Sequence, residues 1–223
     1  MKGLTNKEVR ASNSSLADNT LIEENFDNIK DGDLPEGWSV SGDGYFEVQD
    51  GQLIGQGSSY SGARVVFGDE ELRNYFFEAD ATFLSVENDS RWISLMFRAN
   101  PDGEAPYYQY AKRLGNHNEI AYRTPENTWD IKSNVNADPA MEMGEPQTLK
   151  VAIYGDVVRK YYAGELIYEE KIAHELEQGK LGFQVDGGKV AFDNVKVTKF
   201  EAESFSLDGI STTLLQYEKN PLM

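Results

Sequence analysis

The feature that most constrains the fold is an alternation of apolar and polar residues in short segments. The clearest segment is 75–86, YFFEADATFLSV. Its apolar positions are Phe77, Ala79, Ala81 and Phe83, with acidic or polar residues between them. Successive side chains of a β-strand point to opposite faces, so this pattern predicts an antiparallel strand with one buried face. A chain made of such segments is expected to be all-β.

Similar segments recur along the chain, separated by turn residues every 8–14 positions. Further strand-like runs are 91–99, 107–113, 118–124, 148–155, 157–163, 165–169, 180–185 and 189–199. The pair Asp50-Gly51 lies between two such runs, and Asp-Gly is a strong signal for a hairpin. The regular spacing predicts a two-sheet antiparallel β-sandwich.

The flanking and irregular segments mark the limits of the predicted domain. Residues 1–20 are polar and are predicted to be a tail or linker, so the sandwich would span 21–200. Residues 201–223 do not continue the alternation and are predicted to be a C-terminal tail or the start of a following domain. One helical turn is expected at 170–177, where Ile172 and Leu176 have i, i+4 spacing.

Composition restricts the partners of the chain. Of its 223 residues 39% are hydrophobic, which is ample for a packed core, and none is Cys. The formal net charge of −17 argues against binding to nucleic acid or anionic membranes and is compatible with divalent cations or neutral polysaccharides. No apolar run is long enough for a membrane-spanning helix, and residues 1–20 lack the apolar centre of a signal peptide.

The last strand changes its inward face partway along. Val190 and Phe192 share one parity, whereas Val195 and Val197 share the other. The side-chain period of a strand is two, so a change of parity at Asp193-Asn194 predicts a β-bulge or a bent strand.

Short motifs in a fixed order resemble a known family. They are Phe26…Gly37-Trp38, Val48…Asp50-Gly51-Gln52-Leu53, Tyr75…Glu78-Ala79-Asp80, Met96-Phe97-Arg98, Tyr107-Tyr108 and Phe192-Asp193-Asn194-Val195. Together they are similar to laminin-G-like, concanavalin A-like jelly-roll domains, including the fructan-binding modules of levanases and the 3-keto-disaccharide hydrolase domains. The resemblance implies that the first and last strands of the domain pair.

The same resemblance implies a structural calcium ion. In family 16 glycoside hydrolases, which share the fold, a last-strand Asp binds Ca²⁺ together with carbonyl groups of the first strand and of a Gly in a turn. The matching positions are Asp193, Asn25 (or Glu24) and Gly51. Calcium prefers such oxygen ligands. The alternative is that Asp193 accepts hydrogen bonds from the backbone of the opening strand.

A sugar-binding surface is the leading functional hypothesis. Sugars are bound by aromatic rings and by planar polar groups. In 91–99, Ile93, Leu95 and Phe97 form a purely apolar set, which predicts that Arg98 points away from the core. The residues expected on the sugar face are Arg98, Tyr108, Tyr110, Arg123 and Trp129. The alternative is that these side chains form cross-strand pairs on an exposed sheet.

Catalysis has weaker support. The Glu-x-Asp-x-x-Glu motif of family 16 glycoside hydrolases is missing, since Phe83 stands in place of its last acid. We therefore expect a non-catalytic carbohydrate-binding module, extracellular or on the cell surface, in a chain with further domains. The alternatives are a glycoside or 3-keto-disaccharide hydrolase using acids such as Glu78 or Glu119, and a structural or adhesive spacer.

Overall fold

The computed structural model describes residues 19–172 and 175–200. These residues form fifteen strands and no helix. The strands are β1 (Thr20–Glu24), β2 (Ser39–Gly42), β3 (Gly44–Gln49), β4 (Gln52–Gly57), β5 (Ala63–Phe67), β6 (Tyr75–Val86), β7 (Trp92–Ala99), β8 (Tyr107–Arg113), β9 (Gly115–Arg123), β10 (Trp129–Met141), β11 (Gln147–Tyr154), β12 (Val157–Tyr162), β13 (Glu165–Lys171), β14 (Lys180–Asp186) and β15 (Gly188–Lys199).

The strands form two antiparallel sheets packed as a sandwich. The eight-stranded sheet has the order β13-β12-β11-β6-β15-β4-β3, and β1 also pairs with β15. The seven-stranded sheet has the order β10-β9-β8-β7-β14-β5-β2. The predicted all-β sandwich is confirmed.

The core lies between the sheets and is rich in aromatic rings. On β6 the predicted inward residues Phe77, Ala79, Ala81 and Phe83 are all buried. Phe183 of β14 stacks on Phe192 of β15 at a centroid distance of 4.3 Å, which joins the two sheets. Aromatic burial of this kind is a large source of apolar stabilisation.

The ends of the domain meet as predicted. Strand β1 pairs with β15, with Glu24 opposite Val195. The register of β15 against β6 shifts between Asp193 and Lys196, and Asn194 has a φ of 50°. The predicted bulge is therefore confirmed: it returns Val195 and Val197 to the core on the opposite parity.

The predicted hairpin is also present, between β3 and β4. Its turn residues Asp50 and Gly51 have φ values of 49° and 74°. Two successive positive φ angles match the twist of the flanking strands, and Asp-Gly adopts them readily.

The helical turn predicted at 170–177 is wrong for the residues that the structure describes. Residues 170–171 end β13, and Ile172 donates its N–H to the carbonyl of Asp156 at 2.7 Å. Ile172 is buried and Leu176 packs against the core, so both apolar residues anchor a non-helical segment. Residues 173–174, the predicted tail 201–223, and all but the last two residues of the predicted tail 1–20 lie outside the described residues, and β1 begins at Thr20.

Across 19–172 and 175–200, no helix of the length and apolarity needed to cross a membrane is found.

Candidate functional site

The candidate site is a cavity of about 500 Å³ on the outer face of the seven-stranded sheet, away from the sandwich core. We call it the outer cavity. Its lining includes Tyr60, Arg64, Arg91, Trp92, Glu104, Tyr107, Arg123, Asn127, Trp129, Gln184 and Asp186. A volume of this size falls within the range of about 300–1,000 Å³ that is typical of small-molecule sites.

Strand register brings these residues together. Arg123 of β9 pairs with Tyr107 of β8 on one side and with Trp129 of β10 on the other. Trp92 of β7 pairs with Asp186 of β14. Directly opposed residues of antiparallel strands share a face, so six strands, including β5 through its pairing with β14, contribute side chains to one surface.

Three aromatic rings line the cavity in edge-to-face contact. The Trp129 ring lies 6.2 Å from Trp92 at 84° and 6.0 Å from Tyr107 at 80°. The hydroxyl of Tyr107 donates to Oε1 of Gln184 at 2.9 Å. Burial raises the pKa of Tyr107 to about 12, although the charges of Arg64 and Arg123 oppose the shift. Tyr107 is therefore a neutral hydrogen-bonding group at physiological pH.

Charged side chains surround the rings. Arg64 contacts the Glu104 carboxylate at 2.6 Å, and Arg91 contacts Asp186 at 3.0 Å. Burial raises the pKa of Asp186, and its hydrogen bond to Arg91 partly offsets the shift. The guanidinium of Arg123 lies 4.5 Å from the centroid of the Trp129 ring.

Buried polar atoms without a protein partner lie on the same face. Ser94 pairs with Gln184, and Gln109 pairs with Met96, so both point to the side of Trp92. Within the described part of the chain, Trp92 Nε1, Ser94 Oγ and Gln109 Oε1 have no hydrogen-bond partner. An unpaired buried polar atom costs free energy, so such atoms favour a bound hydroxyl or water.

Two of the five predicted sugar-binding residues, Arg123 and Trp129, line the outer cavity. Their assignment to sugar binding remains a prediction.

The expectation that Arg98 points away from the core is wrong. Its side chain is 2% exposed, and it donates to the carbonyl of Leu176 at 2.8 Å and to that of Gly155. The register between β7 and β14 shifts beside Arg98, whose φ is 51°. A bulge there turns Arg98 away from the face that simple alternation predicts. Arg98 does not line the outer cavity.

Tyr108 and Tyr110 are on the wrong face of β8 for the outer cavity. Both are buried in the core between the sheets. The hydroxyl of Tyr108 donates to Glu175, and that of Tyr110 donates to Asn118 at 2.6 Å. The neighbouring Tyr107 has the parity of the outer face. The apolar set of β7 contained a signal for the orientation of Tyr108. Phe97 belongs to that inward-facing set, and Tyr108 pairs with Phe97, so Tyr108 also faces the core.

The residues predicted to bind calcium belong to segments beside the bulge of β15, since β1 and β4 both pair with that strand. Asn25 follows β1, and Asp193 lies in the bulge of the strand that pairs with β1. Gly51 is beside Asp27, whose side chain accepts a hydrogen bond from Asn25 at 2.8 Å. The Asp193 carboxylate accepts the N–H of Asn194 at 2.7 Å. Over 19–172 and 175–200, no group of three or more His, Cys, Asp or Glu forms a metal cluster.

The two acids considered for hydrolysis lie in different sheets. Glu78 of β6 pairs with Lys150 at 2.8 Å, and Glu119 of β9 contacts His117 at 3.3 Å. Neither lines the outer cavity. The carboxylates that do are Glu104 and Asp186, which sequence patterns did not single out.

Comparison with known proteins identifies one matching protein family. Residues 25–198 match the family described as 3-keto-alpha-glucoside-1,2-lyase-like domain. No curated protein sequence matches the chain significantly.

Solved structures of the same shape include both binding modules and enzymes. Carbohydrate-binding module CBM66 from Bacillus subtilis superposes with a TM-score of 0.64 at 16% identity, covering 73% of this chain and 96% of its own. The Bacillus licheniformis beta-glucanase superposes with a TM-score of 0.56 at 14% identity, covering 80% of this chain and 98% of its own. A putative glycosyl hydrolase from Parabacteroides distasonis superposes with a TM-score of 0.51 at 17% identity, covering 77% of this chain and 100% of its own. The chain thus has the jelly-roll fold of carbohydrate-binding modules and glycosidases.

Proposed function

The chain belongs to the 3-keto-alpha-glucoside-1,2-lyase-like domain family, and on that premise we propose that its outer cavity binds a saccharide as a non-catalytic carbohydrate-binding module. The observation that carries the proposal is the cavity itself, in which Trp92, Tyr107 and Trp129 stand among three arginines and two carboxylates. Aromatic rings cover the C–H faces of sugars, and forked polar groups bind hydroxyl pairs. The unpaired Nε1–H of Trp92, a residue that lines the cavity, adds a hydrogen-bond donor beside the rings.

Truncating the central ring is expected to weaken saccharide binding. Trp129 contacts both other rings and Arg123, so Trp129→Ala removes the apolar surface and the support of its neighbours. We expect affinity to fall at least about tenfold, as for a buried aromatic anchor. The measurement is a glycan array of fructans, glucans and host glycans, followed by calorimetric titration of the best ligand.

Tyr168→Ala is the matched control, because Tyr168 is 41% exposed on β13 of the other sheet. Its affinity for the same glycan should equal that of the wild type. A wild-type array with no bound glycan, or equal loss in both variants, would contradict the proposal.

Lyase chemistry at the same cavity is the second candidate, favoured by Asp186. Burial raises the pKa of this carboxylate, which lies among the sugar-binding groups. In a 1,2-elimination a base takes the C2 proton of a 3-keto glucoside and the C2–H electron pair forms the C1–C2 double bond. The C1–O bond breaks, and its oxygen takes up a proton and departs as the hydroxyl group of the second sugar. The test is whether the wild type cleaves a 3-keto disaccharide and releases the product. If it does, and if Asp186→Asn does not, the cavity is assigned to this reaction instead of to binding alone.

We propose that calcium joins the first and last strands of the domain. The donor chemistry fits, since Asp193, Asn25 and the Gly51 carbonyl supply only oxygen ligands. The candidate ligands Asn25 and Asp193 would link β1 to the bulge of β15.

Chelation is therefore expected to lower the melting temperature. At a calcium concentration a hundredfold above Kd, binding adds about 2.7 kcal/mol, which corresponds to roughly 5–10 °C. Asp193→Asn should abolish the difference between melts with and without a chelator. An unchanged wild-type midpoint, with no calcium found by elemental analysis, would rule out this site.

We also propose an extracellular or cell-surface setting in which the module holds linked domains near a polysaccharide. Tethering raises the effective concentration of substrate for an attached enzyme.

A further inference from the structure

The charges of the outer cavity do not balance one another. Three guanidinium groups, those of Arg64, Arg91 and Arg123, face the carboxylates of Glu104 and Asp186. Arg64 and Arg91 each contact one of these acids. Arg123 contacts neither, and the chain that carries it has a net charge of −17.

Resting on the proposed saccharide binding, we infer that the outer cavity selects an anionic sugar and that Arg123 binds its acidic group. An excess cation held at a sugar-sized site within a strongly acidic chain marks that site for a negative ligand.

The contacts of Arg123 leave its binding end available. Its Nε–H donates to Oδ1 of Asn127 at 2.7 Å, and its Cζ lies over the Trp129 ring. The two terminal nitrogens have no hydrogen-bond partner among the described residues. A guanidinium held in this way presents two parallel donors, the geometry that matches a carboxylate or a sulfate.

The half-buried position of Arg123 strengthens the preference of the outer cavity for an anionic sugar. Burial lowers the pKa of Arg123, which reports that its charged form has lost part of its hydration. An acidic group on the ligand would restore a favourable environment for that charge. Solvent screening of such a contact is weaker than on an open surface.

The test compares sugars that differ only in charge. The probes are trisaccharides of galacturonate, glucuronate and mannuronate, each beside its methyl ester, together with a sulfated oligosaccharide. Calorimetric titration of the wild type should show at least about tenfold tighter binding of one acid than of its ester, as expected for a charge-assisted pair. Binding of the sulfated probe alone would also support the inference and would identify sulfate as the acidic group.

Variants separate charge from shape. Arg123→Gln should abolish the preference, so that the acid and its ester bind with equal affinity, and Arg123→Lys should recover part of the preference. Arg73→Gln is the control, because Arg73 is exposed, pairs with Glu177 and does not line the cavity.

The outcomes distinguish this inference from the proposed function. Equal affinity of the wild type for acid and ester, or for neutral glycans only, would overturn the anionic preference and leave saccharide binding intact. Binding of no saccharide of any kind would overturn both. An acid preference that survives unchanged in Arg123→Gln would overturn the role of Arg123.

Discussion

Arg98→Ala is expected to destabilise the fold by about 3–5 kcal/mol without changing the outer cavity. The guanidinium donates to the backbone carbonyls of Leu176 and Gly155 in two separate loops. Truncation would leave both carbonyls without their donor and create a cavity beside Tyr75, whose pKa is affected by this charge. Chemical denaturation at equilibrium measures the loss.

Arg73→Ala is the matched control for that variant. Arg73 and Glu177 are 55% and 67% exposed, and surface pairs of this kind contribute about 0–1 kcal/mol. If Arg98→Ala lost less than the control, or if it weakened saccharide binding while fully folded, the structural assignment of Arg98 would be wrong.

Lys160→Met is expected to stabilise the protein by about 2 kcal/mol at pH 7. Lys160 lies in the sandwich interior, where its Nζ donates to Ser133 at 2.7 Å, and burial lowers its pKa from 10.5 to about 8. Keeping the charged form in the folded state therefore costs about 3 kcal/mol. Removing it loses one hydrogen bond, worth about 1 kcal/mol, and the Met side chain fills similar space.

The pH dependence gives the sharper result. Between pH 8 and 10 the folded chain has released the Lys160 proton and the unfolded chain still holds it, so wild-type stability rises with pH. Lys112, whose pKa is also lowered to about 8 by burial, contributes in the same direction. Lys160→Met should remove about half of this rise. The amount by which the variant is more stable than the wild type should therefore shrink toward pH 10.

Urea denaturation at pH 7, 8, 9 and 9.5 measures both effects. Above pH 10 the buried tyrosines act in the opposite sense, as burial raises the pKa of Tyr162 to about 12. Lys150→Met serves as the control, because Lys150 pairs with Glu78 on the surface and has the same charge. A variant less stable than wild type at pH 7, or with an unchanged pH slope, would contradict the interpretation of Lys160.

The pairing of the first and last strands was implied only by the family resemblance. The existence of the strands, the Asp50-Gly51 hairpin and the bulge at Asp193 were all predictable from sequence. Each depends on local information: a period of two, a turn dipeptide, or a change of parity within one strand. The site was predictable only in part. Arg123 and Trp129, which sequence singled out, line the outer cavity, whereas Glu104 and Asp186 were not singled out, because single acids in polar segments have no distinguishing pattern.

Sequence alone determined the sandwich and the inward faces of most strands, since alternation sets which side chains avoid water. Tertiary structure alone decided the direction of Arg98, because the bulge beside it arises from pairing with β14 rather than from its own neighbours. It also decided which residues line the outer cavity, since six strands and four loops bring them together from distant positions. Register between strands is a long-range property, and no local pattern encodes it.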